Sequence, residues 1–205
     1  PTDFIHVAEA TGSVRRIGAW LARTAASQVA RWHSEELLAV PVMLNVSLSQ
    51  FEDNAFVTHL VQEIESGGAV PSMFGVEVTE EIMARNLDRS IRVCTELQQL
   101  GMVVALDGYG KGESALGRLR QLKFDHLKID RTLVSELNGS DNSQALVRAA
   151  VQVAHALGVA ATAVGVETRD QMALLAEIGC ERVQGFIKSK PLSALETTDF
   201  LKSAH

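Results

Sequence analysis

Six short apolar runs punctuate this chain, and the stretches between them carry helical periodicity. The runs begin near residues 41, 74, 102, 124, 159 and 182, at intervals of roughly 20–35 residues. That spacing leaves room for one helix between consecutive strands, so it predicts repeated βα units joined by right-handed crossovers into a parallel sheet. Runs rich in Val and Ile suit strands covered on both faces. The predicted helices span 13–32, 49–65, 80–100, 112–122, 141–157, 169–178 and 195–203. Gly101, Gly158 and Gly179 close three of them, as a helix C-terminal residue often does. In the first helix, Ile17, Trp20, Leu21, Ala25 and Val29 recur near helical spacing. Six units do not close an eight-stranded barrel. The fold expected is therefore α/β, a modified (β/α)8 TIM-like barrel that lacks its N-terminal strand or strands in this chain.

Composition narrows the function classes. With 205 residues, 46% of them hydrophobic, the chain can bury one sizeable core, and no second domain is evident. The net charge is −6 and the two signs are mixed along the length. This argues against DNA or RNA as a partner, since non-specific nucleic-acid binding needs a basic surface. One small anionic nucleotide in a local pocket remains compatible. Cys94 and Cys180 share no metal-ligand spacing and read as buried, reduced thiols of a cytosolic domain. No run approaches the ~18 apolar residues of a membrane span. The expected location is the cytoplasm, either free or as the cytosolic part of a membrane-anchored protein.

The ends of the strands carry the chemistry. In a parallel barrel the βα loops converge at the C-terminal strand ends, so polar residues there face one pocket. Asn45 ends the first run and reads equally as a turn or helix-capping residue. Glu77 alternates with Val76 and Val78, so it points away from two apolar neighbours and needs a partner if buried. Asp107 ends the third run, before Gly108-Tyr109-Gly110-Lys111-Gly112. That segment matches neither phosphate-loop nor dinucleotide spacing and reads as a glycine-hinged active-site loop. Lys128, between Leu127 and Ile129, suits a charge partner for the carboxylates or a phosphate contact. His126 and His155 read as ordinary packing or surface residues, since no zinc spacing is present.

Taken together, N-V-S (45–47), E-V-T-E (77–80), A-L-D-G-Y-G-x-G (105–112), L-K-I-D (127–130), V-G-V-E-T (164–168) and Q-G-F-x-x-x-K-P-L (184–192) closely resemble the EAL family of cyclic di-GMP phosphodiesterases. The resemblance covers the whole chain, 1–205, as one N-terminally incomplete domain. It implies hydrolysis of one phosphodiester by two Mg²⁺ or Mn²⁺ ions that clamp the phosphate and activate water. By position it makes Asn45, Glu77 and Asp107 metal ligands that also border the cyclic di-GMP pocket. Lys128 orients the attacking water, Glu167 is the second glutamate of the E-G-V-E segment, and Glu80 steadies the loop after Asp107. Gln184, Phe186 and Pro191 retain the nucleotide-side segment.

Two departures change what the resemblance implies. Gly108 stands where the family has the second of paired aspartates, and Val164 where it has the first glutamate of E-G-V-E. The segment that names the family is not in this sequence. Hard divalent cations need several anionic oxygens each, so two lost carboxylates weaken the second metal. Catalytic groups commonly contribute roughly 10² to 10⁴ in rate apiece. The sequence therefore points to a degenerate domain, not an enzyme, that requires no cofactor and binds cyclic di-GMP as a receptor for a downstream effector protein, with a homodimer as a further possibility. The alternatives are a protein-interaction module that has lost the nucleotide, and a residual phosphodiesterase that would use Mg²⁺ or Mn²⁺.

Overall fold

The computed structural model describes residues 7–37, 40–111, 116–139 and 141–204. All six expected strands form: β1 (Val42–Asn45), β2 (Phe74–Thr79), β3 (Val103–Tyr109), β4 (His126–Ile129), β5 (Ala160–Val164) and β6 (Arg182–Gln184). The strand order is the chain order. The helices among the described residues are α1 (Val14–Ser34), α2 (Leu48–Phe51), α3 (Phe56–Ser66), α4 (Glu80–Arg85), α5 (Leu87–Gln99), α6 (Leu116–Leu119), α7 (Arg131–Ser135), α8 (Asp141–Ala156), α9 (Arg169–Ile178) and α10 (Ala194–Ala204).

Residues group into two compact units interleaved in sequence. The first comprises Pro1–Glu77, Thr95–Val103 and Leu192–His205, and the second Val78–Cys94 and Val104–Pro191. In the first unit β1 and β2 pair in parallel, Val42 with Phe74 through Asn45 with Glu77. Helix α1 packs on α3, and of the stripe that the sequence suggested Val29 is buried, Ile17 and Ala25 are half-buried, and Trp20 and Leu21 are not on the inward face. Trp20 is 66% exposed and Leu21 44% exposed, while Val14, Ala22, Ala26, Val29 and Trp32 are buried. The approach is close enough that a Cβ on Gly67 would lie 2.4 Å from the Ala26 Cβ. Small residues make that contact, so Trp20 and Leu21 do not mark the inward face.

Two predicted helices are each broken by a polar side chain that competes for backbone amides. Between α2 and α3 the Asp53 carboxylate accepts from Ala55 N at 3.1 Å. Between α4 and α5 the Asn86 side chain accepts from Arg89 N at 3.0 Å. The cap of α2 is Ser47, which forms a reciprocal capping box with Gln50; Asn45 does not have that role. Helix α7, of 5 residues, has no counterpart in the sequence reading and starts from Asp130, whose carboxylate accepts from Thr132 N at 2.9 Å. Of the predicted helix 112–122, residues 112–115 lie outside the described residues and 116–119 are helical.

The second unit is built on β3 to β6. Val104, Leu106, Leu127, Ile129, Ala161 and Ala163 are buried at 0% exposure. Parallel pairing sets Leu127 beside Ala161 and Lys128 beside Thr162, then Ala163 beside Val183 and Val164 beside Gln184. These registers bring Lys128, Val164 and Gln184 to the same C-terminal edge, with Asp107 arriving on β3. Cys94 is buried, and burial first and Asp125 second push its thiol up to about 12, which keeps it inert. Cys180 is only half-buried, where a buried thiol was expected.

Candidate functional site

A bulge in the pairing of β3 with β4 shapes the site. Leu106 pairs with Leu127 and Tyr109 with Ile129, so Asp107 and Gly108 together oppose the single residue Lys128. Bulges of this kind bend a strand and re-aim its side chains, and they recur beside active sites. Gly108 has φ +77°, the left-handed region that glycine enters without cost, and a Cβ there would meet nothing within 4 Å. Gly108 thus faces open space on a left-handed backbone. Strand β3 runs on through Tyr109, so the first part of the expected glycine-hinged loop is strand, and residues 112–115 lie outside the described residues.

Opposite the bulge, Lys128 is 5% exposed and its Nζ lies 3.7 Å from Asp107 Oδ1. A buried ammonium loses several kcal/mol of hydration, and Asp107 is one carboxylate that offsets part of that loss. Around Asp107 opens a cleft of about 430 Å³, lined by Glu80, Lys111, Arg118 and Asp130 among others. Glu80, Asp107 and Asp130 are half-buried on it, and Lys111 and Arg118 are exposed cations of its lining. Burial, then the charge of Glu80, pushes the Tyr109 phenol above its ordinary range.

The edge formed by β5 and β6 is held differently. Val164 is half-buried at the end of β5, and Glu167 is exposed. Gly165 N and Val166 N both donate to Gln184 O, at 2.7 and 3.1 Å, and Ile187 N returns a bond to Val166 O at 3.0 Å. Gly185 is held so closely to this turn that a Cβ would lie 2.2 Å from Val166 O. The turn after β5 and the start of Gln184-Gly185-Phe186 are therefore one hydrogen-bonded body. Gln184, Phe186 and Pro191 are exposed on it, Phe186 at 57%.

Sequence reasoning missed Gln171, on α9. This amide is 7% exposed, accepts from Glu167 N and Thr168 N at 2.9 and 3.1 Å, and donates to Val134 O on α7 at 3.2 Å. The signal available was the spacing of Thr168 and Gln171, which forms a capping box. In the first unit, Asn45 and Glu77 are register partners at the ends of β1 and β2, and Val46 N donates to Glu77 O at 3.1 Å. Asn45 is exposed and Glu77 half-buried. His126 lies against Arg182, and burial first, then that guanidinium, lowers its pKa. His155 pairs with Glu181 at 2.7 Å.

Among the described residues, no three His, Cys, Asp or Glu side chains converge where a metal ion could bind. At the end of β3 Asp107 faces Lys128 and is followed by Gly108, and Val164 ends β5.

Parallel βα units with a polar cleft at the C-terminal strand ends define an α/β domain of the kind that binds ligands at that edge. The EAL domain family matches residues 1–191, and the chain belongs to that family. It is 31% identical over 203 residues, 99% of this chain, to the cyclic di-GMP phosphodiesterase NbdA of Pseudomonas aeruginosa, and covers 26% of that protein. It is 34% identical over 195 residues, 95% of this chain, to the cyclic di-GMP phosphodiesterase PdeR of Escherichia coli, and covers 29% of it. The chain thus spans about a quarter to a third of these relatives. A solved structure of the PaMucR phosphodiesterase in a c-di-GMP complex superposes with a TM-score of 0.91 at 31% identity, over 96% of this chain and 80% of that one. The modified TIM-like barrel class expected from the sequence holds, with six parallel strands among the described residues. Also among the described residues, no helix is long and apolar enough to cross a membrane.

Proposed function

We propose that this chain is a cytoplasmic receptor domain for cyclic di-GMP that has lost hydrolysis and reports occupancy to a downstream effector protein. One observation carries the reading. The bulge on β3 keeps Asp107 against the buried Lys128, while the next residue, Gly108, presents no side chain to the cleft. A buried cation at a strand end is suited to a phosphate, and without paired carboxylates there is little to hold two metals. The exposed ring of Phe186 beside Gln184 supports a base-stacking and hydrogen-bonding face on the same edge. The PaMucR structure, a c-di-GMP complex, supports the ligand class. The assignment of Asn45, Glu77 and Pro191 to that ligand rests on the family resemblance alone.

Isothermal titration with cyclic di-GMP in EDTA tests the reading. Binding in the micromolar range without metal supports a receptor. Absence of heat at high micromolar ligand would instead favour a protein-interaction module.

A further inference from the structure

The turn that carries Glu167 cannot hold itself. Its amides at Glu167 and Thr168 follow the end of β5 and precede the first turn of α9, so neither has a strand or helix partner. Both are taken by the side chain of Gln171. The other end of the same amide donates to Val134 O, 37 residues away in sequence. Val134 is itself buried in α7, which begins at Asp130, two residues after Lys128. The same turn is fastened through Gly165 and Val166 to Gln184 O. One buried side chain thus links three consecutive strand ends: the segment after β4, the Glu167 turn after β5 and, through that turn, the Gln184–Phe186 segment after β6.

We infer that Gln171 is a positioning residue, which fixes the Glu167 turn to α7 and so sets the face that Gln184 and Phe186 present at the end of β6. The consequence for nucleotide affinity rests on the receptor reading; the consequence for the turn does not. A residue that only filled space would be replaced without loss by a side chain of equal length. Gln171→Met keeps the length and drops every hydrogen bond. Gln171→Glu keeps an oxygen that can accept from Glu167 and Thr168 but sets an anionic oxygen against Val134 O, so it breaks the tie to α7.

Amide hydrogen exchange on the whole chain separates these roles, with the amides of β4 as an internal control. Gln171→Met should speed exchange at Glu167 and Thr168 by about tenfold, the loss of roughly one hydrogen bond at each. The β4 amides should be unchanged, and Gln171→Glu, which loses the tie to α7, should exchange faster than wild type but more slowly than Gln171→Met. Titration with cyclic di-GMP should show the same order, with Met weakest and Glu between it and wild type. Unchanged exchange in the Met variant, or equal exchange in both variants, overturns the assignment. If the Met variant does not fold, the Glu variant decides alone: faster exchange at Glu167 and Thr168 with β4 unchanged supports the inference, and wild-type exchange overturns it. A wild-type chain that binds no cyclic di-GMP would sink the receptor reading, while the exchange pattern would still judge Gln171.

Discussion

The two edges of the cleft-bearing unit are built on different principles. At the β3 and β4 edge a bulge aims Asp107 at Lys128 across 3.7 Å, beside an open left-handed glycine. At the β5 and β6 edge the backbone itself is joined, through Gln184 O, Val166 O and the Gln171 amide. The first edge depends on side-chain chemistry and tolerates exchange, because a residue at Gly108 meets empty space. The second depends on close backbone approach and tolerates almost nothing at Gly185. Val164 lies on that second edge, where the backbone bonds do not depend on its side chain. An exchangeable side-chain edge and a fixed backbone edge thus coexist in one unit.

Glycine-to-alanine substitutions at the two edges should separate these principles most sharply. Gly185→Ala places a methyl 2.2 Å from Val166 O and 2.4 Å from Val166 N, backbone atoms that cannot step aside. The expected loss is about 3 kcal/mol, the upper range for overpacking. Gly108→Ala meets no atom and suffers only the left-handed backbone, about 1 kcal/mol. Denaturant unfolding of the two variants measures both, and equal losses would erase the distinction.

Lys128→Met probes the ionic edge through the ligand. Removing a buried cation from a phosphate contact should weaken cyclic di-GMP about 10- to 100-fold, the scale of ~1.5–3 kcal/mol for a hydrogen bond to a charged group. Titration calorimetry reads the change, and an unaltered affinity would place the phosphate elsewhere.

The smallest effect lies at the far ends of β5 and β6. Burial acts to raise the Glu181 pKa, but hydrogen bonds from Ala161 N and His155 outweigh it and hold the carboxyl below its ordinary 4.5. Because the folded pKa is depressed, its stabilisation is present at neutral pH and drains away as pH falls through 4.5 and below. Solvent screening at this partly exposed site limits the gain to a few tenths of a kcal/mol. Glu181→Gln should lower the unfolding midpoint slightly at pH 7 and flatten that part of the acid limb. An acid limb identical to wild type would count against the pairing.

Much of this architecture was legible from residue order. The six strands were readable because Val- and Ile-rich runs recur at βα spacing, and the residues at their ends followed. What stayed hidden depended on partners distant in sequence or on close packing. Trp20 and Leu21 suggested an inward stripe, yet Ala22 and Ala26 take that place because α1 and α3 approach closely. Gln171 looked like an ordinary helix residue, and its donation to Val134 O appears only once α7 and α9 are folded. The bulge at Asp107 could not be read either, since it is a relation between two strands and not a pattern in one.

The central claim is that this domain retains the nucleotide and does not cut it. Incubation of the chain with cyclic di-GMP and Mn²⁺, followed by filtration and chromatography of the protein-bound nucleotide, tests both halves at once. The account predicts intact cyclic di-GMP retained with the protein. Accumulation of the linear dinucleotide, or no retained nucleotide at all, would contradict it.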